Sequence, residues 1–175
     1  MTETELTVEN LGGIYPTMQN HVLSDVMQRM REEIPEIEYT EDELKFADEI
    51  NRTSPLYVEG VTEPLDYKVK PVADFNNGGS TDYGDVSHIC PGIMCPGITA
   101  PKLSGGHTWM ITAASGSSIG IKGMLYAGKI MAAGAYEMVK HPELVEAAKK
   151  EFDESMAGKK YECPITDDIP WPYES

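Results

Sequence analysis

The chain has 175 residues, a hydrophobic fraction of 41% and a formal net charge of -15 at pH 7, which fits one globular domain or part of a larger one. Phosphate groups would repel so acidic a surface, which argues against a nucleic-acid partner. No apolar run reaches the length that spans a bilayer and no targeting segment is visible, so we predict a cytoplasmic protein with no membrane partner.

The three cysteines, Cys90, Cys95 and Cys163, have neither the spacing of a redox pair nor that of a zinc site. Their odd number favours reduced thiols that pack as small side chains. Charge is uneven along the chain, because residues 83–136 hold a single acid, Asp85, among three lysines. Any anion-binding chemistry belongs in that region, although the acids elsewhere can equally be explained as the coating of exposed helices.

The first third of the chain predicts one strand and two helices. Leu6 and Val8 alternate with polar residues, a pattern typical of a half-buried strand. Asn20 is placed to cap a helix that Pro35 ends. A capping box at residues 40–43 starts a second helix. The apolar faces of the two helices are predicted to be Leu23, Val26, Met27, Met30 and Ile34, and then Leu44, Ala47 and Ile50.

The second half predicts two short strands and two further helices. The strands are expected at residues 86–94 and 109–114, the latter with the composition of a buried parallel strand. A long helix runs from Ser117 or Ser118 to Val139, and another from Pro142 to a stop at Gly158. The predicted inward positions of the long helix are Ile121, Met124, Leu125, Ala132, Ala135 and Met138. Close packing on a sheet would offset the cost of its glycines. This order of elements predicts an α/β layered fold.

Two loops have a composition suited to chemistry. Residues 76–88, NNGGSTDYGDVSH, combine glycines with hydroxyls and carboxylates, as a ligand-binding loop or a polar turn would. Residues 103–110, LSGGHTWM, place His107 after two glycines. That histidine could be a metal ligand, a general base or a structural hydrogen-bonding group. No paired-histidine zinc motif and no serine nucleophile elbow is present in the chain.

Four segments together resemble a known family: YTEDELKFADEI, GGSTDYGDVS, residues 105–139 from GGHTW onward, and HPELVEAAKKEFDESMAGKKY. The chain is similar to the C-terminal part of the metal-dependent aminoacylase and carboxypeptidase family, in the type represented by the B subunit of p-aminobenzoyl-glutamate hydrolase. The resemblance implies a fold that is the C-terminal portion of a three-layer α/β/α catalytic domain of the zinc-peptidase kind. Residues 1–15 would be the remnant of a lid or dimerisation domain, including its last strand, and residues 16–175 the C-terminal part of the catalytic domain.

The resemblance also implies a site. The family binds two metal ions, zinc or manganese, and His107 matches its last metal ligand. Ser80, Thr81 and Asp82 match a substrate-facing loop, and Gly106 would let the histidine loop approach the substrate. Two positions depart from the family pattern: His88 stands where we expect tryptophan, and Gly105 where we expect proline. His88 is then either an extra ligand or a hydrogen-bonded loop histidine.

The family's other ligands and its general base lie in an N-terminal half that this sequence lacks, so no catalytic residue is expected here. The parent chemistry is hydrolysis of a small-molecule amide by metal-activated water. The first hypothesis is therefore a hydrolase fragment, inactive alone, with a complementary N-terminal half as partner. The alternative is a truncated or repurposed fragment that only folds or binds. An uncovered strand edge would also lead to self-association.

Overall fold

The computed structural model describes residues 3–8, 12–60, 63–66, 81–95 and 97–165 of the protein. Helices make up about half of these residues, and none of them is both long and apolar enough to cross a bilayer. The helices are α1 (His21–Glu33), α2 (Glu41–Arg52), α3 (Tyr83–Ser87), α4 (Trp109–Ser115), α5 (Ser118–Lys140) and α6 (Pro142–Met156).

The predicted helix boundaries that depend on caps are confirmed. The Asn20 side chain accepts a hydrogen bond from Leu23 N at the start of α1. Thr40 and Glu43 form the capping box of α2 in both directions. Ser117 caps α5 by accepting from Ile119 N. Each cap satisfies backbone N–H groups that have no partner inside the helix, which explains why these starts are readable from sequence.

The α/β prediction is wrong, because the described residues contain no strand and the fold there is helical. In the part of the chain that the structure describes, no sheet forms a layer of the expected three-layer α/β/α arrangement. Residues 109–114, predicted as a buried strand, lie in α4, where Met110 and Ala114 are buried. A short apolar run fits a strand and a buried helix turn equally well, and here the helix prevails.

The other two predicted strands are also absent. Leu6 and Val8 are exposed, and residues 3–8 have no regular secondary structure, so no remnant strand is present there. In the predicted strand at residues 86–94, the first residues belong to the end of α3 and the turn that follows it. A single extended segment has no stability without neighbours, which is the physical reason these patterns fail. The proposed division at residue 15 stays a prediction.

Helix α5 is the centre of the arrangement, since α1, α4 and α6 all pack on it. Its closest approaches occur at glycines: a Cβ at Gly123 would collide with the carbonyl oxygen of Ile98, and one at Gly134 would meet Met27. The glycines therefore pack against a loop and a helix rather than against the expected sheet. The buried positions of α5 are Ile119, Gly120, Gly123, Ile130 and Gly134.

The predicted inward face of α5 is wrong. Ile121, Met124 and Leu125 are exposed by 51%, 61% and 57%, whereas Ile130 on the opposite side is fully buried. Ala132 and Ala135 are exposed as well. Met138 is half-buried. The close approach at Gly123 decides which side of the helix faces its neighbours.

Candidate functional site

The loop that carries His107 is anchored at its base by the end of α2. Asn51 is fully buried, and its side-chain amide donates to Pro64 O at 2.8 Å while its oxygen accepts from Leu103 N at 2.9 Å. Ser54 Oγ donates to Leu103 O at 2.8 Å. Both polar groups of the Leu103 backbone are thus bonded to side chains from one helix end. The start of the loop is fixed relative to α2 as a result.

The tip of the same loop points outward. His107 has φ +58, in the left-handed region that non-glycine residues adopt at a cost of about 1 kcal/mol, although histidine tolerates it better than most. Its side chain is exposed and makes no hydrogen bond to any described residue. Gly106 is also exposed, and a Cβ built on it would meet nothing within 4 Å. This loop tip is therefore open to another molecule.

Helix α4 closes the loop on its other side. Thr108 Oγ1 donates to Gly105 O at 2.7 Å, which tightens the turn just before the helix. Met110 and Ala114 bury one face of α4 against α5, while Trp109 is exposed. His107 thus lies in sequence between the anchored base of the loop and a packed helix, two residues before an exposed tryptophan. Exposed tryptophan is a frequent ligand-contacting group, a feature that the sequence reasoning did not select.

The second candidate loop is mostly engaged in local structure. Ser80 lies outside the described residues. Thr81 accepts a hydrogen bond from Tyr83 N through its hydroxyl, at 3.4 Å, at the start of α3. Asp82 is exposed and gives no side-chain cap to that helix. Thr81 is thus used for the turn, which was the alternative explanation for this loop, while Asp82 stays accessible.

Asp85, in α3, joins three separate segments. Its carboxylate accepts from Tyr161 Oη at 2.9 Å and from Tyr15 N at 3.4 Å. The hydrogen bond to Asp85, followed by burial, raises the pKa of Tyr161. The backbone is close here too, since a Cβ at Gly84 would collide with the carbonyl oxygen of Tyr15. Asp85 is therefore a structural link between the start of the chain, α3 and the residues that follow α6.

His88 is held by its own helix. Its Nδ1 lies 3.0 Å from Gly84 O, and because a carbonyl oxygen only accepts, Nδ1 is the donor of this hydrogen bond. The ring also packs against Tyr15 at a centroid distance of 4.7 Å. This environment matches the hydrogen-bonded loop histidine that was one of the two alternatives for this position.

A metal site is not complete within the described chain. No group of three histidine, cysteine, aspartate or glutamate side chains is close enough there to hold an ion. No hydrogen bond or ion pair between described residues joins the loop of Thr81 and Asp82 to the loop of Gly106 and His107. A zinc ion needs about three protein ligands even in an open catalytic site. The residues present therefore do not fit a two-metal centre, and His107 could contribute at most one ligand.

An ion pair between α5 and α2 supports the helix that anchors the loop. Lys122 Nζ in α5 lies 2.7 Å from Glu43 Oε2 in α2, and it also donates to Glu38 O at 2.9 Å. Burial acts to raise the pKa of Glu43, but hydrogen bonds from Lys122, Ser118 and Thr40 together with the lysine charge outweigh it and lower the pKa to about 2. Since α2 also carries Asn51, this pair holds the helix that anchors the His107 loop.

Comparison with known proteins gives one similarity. The chain is 31% identical over 104 residues to the B subunit of p-aminobenzoyl-glutamate hydrolase from Escherichia coli. The alignment covers 58% of this chain and 22% of that protein, so the match spans about a fifth of the relative's length. No protein-family model and no solved structure matches the chain. The similarity supports a distant relationship to this hydrolase.

Proposed function

We propose that this chain is one part of an enzyme that hydrolyses amide bonds, with N-acyl amino acids or p-aminobenzoyl-glutamate as the class of substrate. One observation carries the proposal: His107 is exposed and has no hydrogen-bond partner among the described residues, at the tip of a loop whose base is fixed by Asn51 and Ser54. The similarity to a hydrolase subunit supports this choice of reaction. An imidazole that is exposed, unpaired and held in position is suited to bind a metal or a substrate.

The reactive centre is completed by a second polypeptide. The described residues provide one candidate ligand and no cluster, so the chain by itself should not bind the two zinc or manganese ions or turn over substrate. The relative is named as a subunit and is several times longer than the matched segment, which supports a complementary chain. In the completed enzyme His107 supplies one metal ligand.

The substrate contacts of this chain are Gly106 and Asp82, with Ser80 and Thr81 as further positions of the same loop. Gly106 lies in open space and Asp82 has an exposed carboxylate, so both are accessible to a ligand. Asp82 would act through hydrogen bonds to polar groups of the substrate.

The test is reconstitution. The chain would be co-expressed with the E. coli hydrolase polypeptide from which the matched segment has been removed, and hydrolysis of p-aminobenzoyl-glutamate would be measured with zinc or manganese. We expect no turnover by the chain alone, turnover by the complex, and loss of at least 100-fold in His107→Ala. His21→Ala is the matched control, because His21 is another exposed histidine. A complex that forms but does not hydrolyse the amide would favour the alternative, a module that only binds.

A further inference from the structure

The exposed side of α5 is an apolar surface along the whole helix. Six residues spaced by three or four positions share this side: Ile121, Leu125, Gly128, Ala132, Ala135 and Val139. None of them is charged, and Val139 at the far end is exposed by 78%. A helix that is apolar on both sides is normally buried on both sides. Among the residues that the structure describes, only those on the opposite side, with Ile119 and Ile130, are packed against by other elements.

The two edges of this surface differ. Each of the lysines at 122, 129 and 140 directly follows a surface residue, so all three lie about 100° around the helix on the same edge. The opposite edge carries Met124, Met131 and Met138, seven residues apart. A Cβ atom added at Gly128 would meet no described neighbour within 4 Å. Another backbone can therefore approach the middle of the surface closely. The surface is thus flat in the middle, basic along one edge and apolar along the other.

A second copy of the chain fits this surface poorly. Two α5 helices related by an antiparallel two-fold axis would place their lysine edges on the same side, with the two Lys129 side chains near each other. A parallel pair would place the lysine edge of each copy against the methionine edge of the other, where the charges would lose water. Each copy also carries a net charge of -15, which adds repulsion at longer range.

We infer that the exposed side of α5 is the docking surface for the second polypeptide of the enzyme, an inference that rests on the proposed function. The occupant presents a flat apolar layer with acidic side chains along the edge that meets Lys129 and Lys140. The relative supports such an occupant, because most of its chain lies outside the segment that matches this protein. Docking there would cover α5 on both sides and complete one core from two chains.

The surface itself is tested first on the chain alone, with the dye 8-anilino-1-naphthalenesulfonate and light scattering. Wild type should be a monomer that binds the dye, and Leu125→Glu should bind several-fold less dye with an unchanged unfolding midpoint. Val145→Glu is the matched control, since Val145 is a similarly exposed residue on α6. A wild-type dimer that Leu125→Glu dissociates would overturn the inference in favour of a second copy. A large drop in unfolding midpoint would overturn it by showing that the chain itself covers Leu125.

The partner is tested with the same E. coli hydrolase polypeptide lacking the matched segment. Capture by wild type and by Val145→Glu should be equal, and capture by Leu125→Glu at least 10-fold lower. No capture by wild type, or equal capture by Leu125→Glu, would overturn the docking surface. Hydrolysis is scored separately: a complex that depends on Leu125 but has no activity would refute the proposed function and leave the surface standing. An active complex that does not depend on Leu125 would refute the docking surface and leave the proposed function standing.

Discussion

The hydroxyl of Tyr161 donates a hydrogen bond of 2.9 Å to Asp85, a residue 76 positions earlier in the chain. The same carboxylate accepts from the backbone of Tyr15, and the ring of Tyr161 packs against the ring of Tyr15 at 5.4 Å. Three segments that are distant in sequence therefore meet at one side chain. The residues after α6 are held to the start of the chain through α3.

Tyr161→Phe should loosen this junction. The phenyl ring keeps the contact with Tyr15, but the carboxyl group of Asp85 loses the hydrogen bond that the Tyr161 hydroxyl donates. We expect a lower thermal unfolding midpoint and faster hydrogen exchange at Tyr15 N. Tyr136→Phe is the control, because Tyr136 is exposed and its ring only approaches Lys140. Equal midpoints for the two variants would show that the Asp85 bond does not contribute to stability.

The Glu43–Lys122 ion pair predicts a loss of stability in acid. The pKa of Glu43 is lowered to about 2 from its ordinary value of 4.5, so the stabilisation is present above pH 4.5 and is lost as the pH falls towards 2. The shift corresponds to about 3 kcal/mol, which we reduce to about 1–2 kcal/mol because the Lys122 side chain is one-third exposed. In urea unfolding, Glu43→Gln should be less stable than wild type at pH 7, and this difference should fall to about a quarter near pH 2.5, where a group with a pKa of about 2 is still partly ionised.

The control for this pH dependence is Glu41→Gln, in the same first turn of α2 but exposed. Its free energy of unfolding should follow that of wild type at every pH. A stability difference between wild type and Glu43→Gln that is the same at pH 7 and pH 2.5 would contradict the assignment. Such a result would mean that packing of the side chain, rather than its charge, stabilises the α2–α5 contact.

The sequence correctly predicted the structural features that depend on residues close together in the chain. Asn20, Thr40 and Ser117 mark helix starts because a cap acts within three positions. The sequence-based prediction failed where the same run of apolar residues fits both a strand and a helix, as in residues 109–114. It also failed on the orientation of α5, because both sides of that helix are apolar and the choice depends on the distant contact of Gly123 with Ile98.

The candidate site was also predicted only in part, because the sequence reveals local motifs but not contacts between distant residues. His107 and Gly106 stood out by their local motif, and they lie on an exposed loop, while their proposed roles stay predictions. Asn51 was missed, because its bond to Leu103 spans 52 positions of sequence. One signal was available: Asn51 is a polar residue on the same helix face as Ala47, and a buried polar side chain nearly always has a partner.

Asn51→Leu should destabilise the chain by about 1–3 kcal/mol, since Leu103 N would be left without its acceptor. The carbonyl oxygen of Pro64 would remain hydrogen-bonded in this variant, because it also accepts from Lys102 N at 2.9 Å. Ser54→Ala removes only the bond to Leu103 O and should cost about 1 kcal/mol. Urea unfolding measures both, and hydrogen exchange at Leu103 N should be accelerated far more in Asn51→Leu. Slow exchange there in Asn51→Leu would show that the loop is held by other contacts.

His107→Gly separates the conformation of this residue from its side chain. Glycine adopts φ +58 without strain, so the variant should be as stable as wild type or more stable by up to about 1 kcal/mol, the gain being reduced by the freedom of glycine in the unfolded chain. His107→Ala keeps the strain and should be less stable than His107→Gly. In the reconstituted enzyme both should lose activity, because both lack the imidazole. A strained backbone retained for its side chain is expected at functional sites. If His107→Gly were clearly less stable than wild type although it relieves the backbone strain, the imidazole would be a structural group and the proposed role would fail.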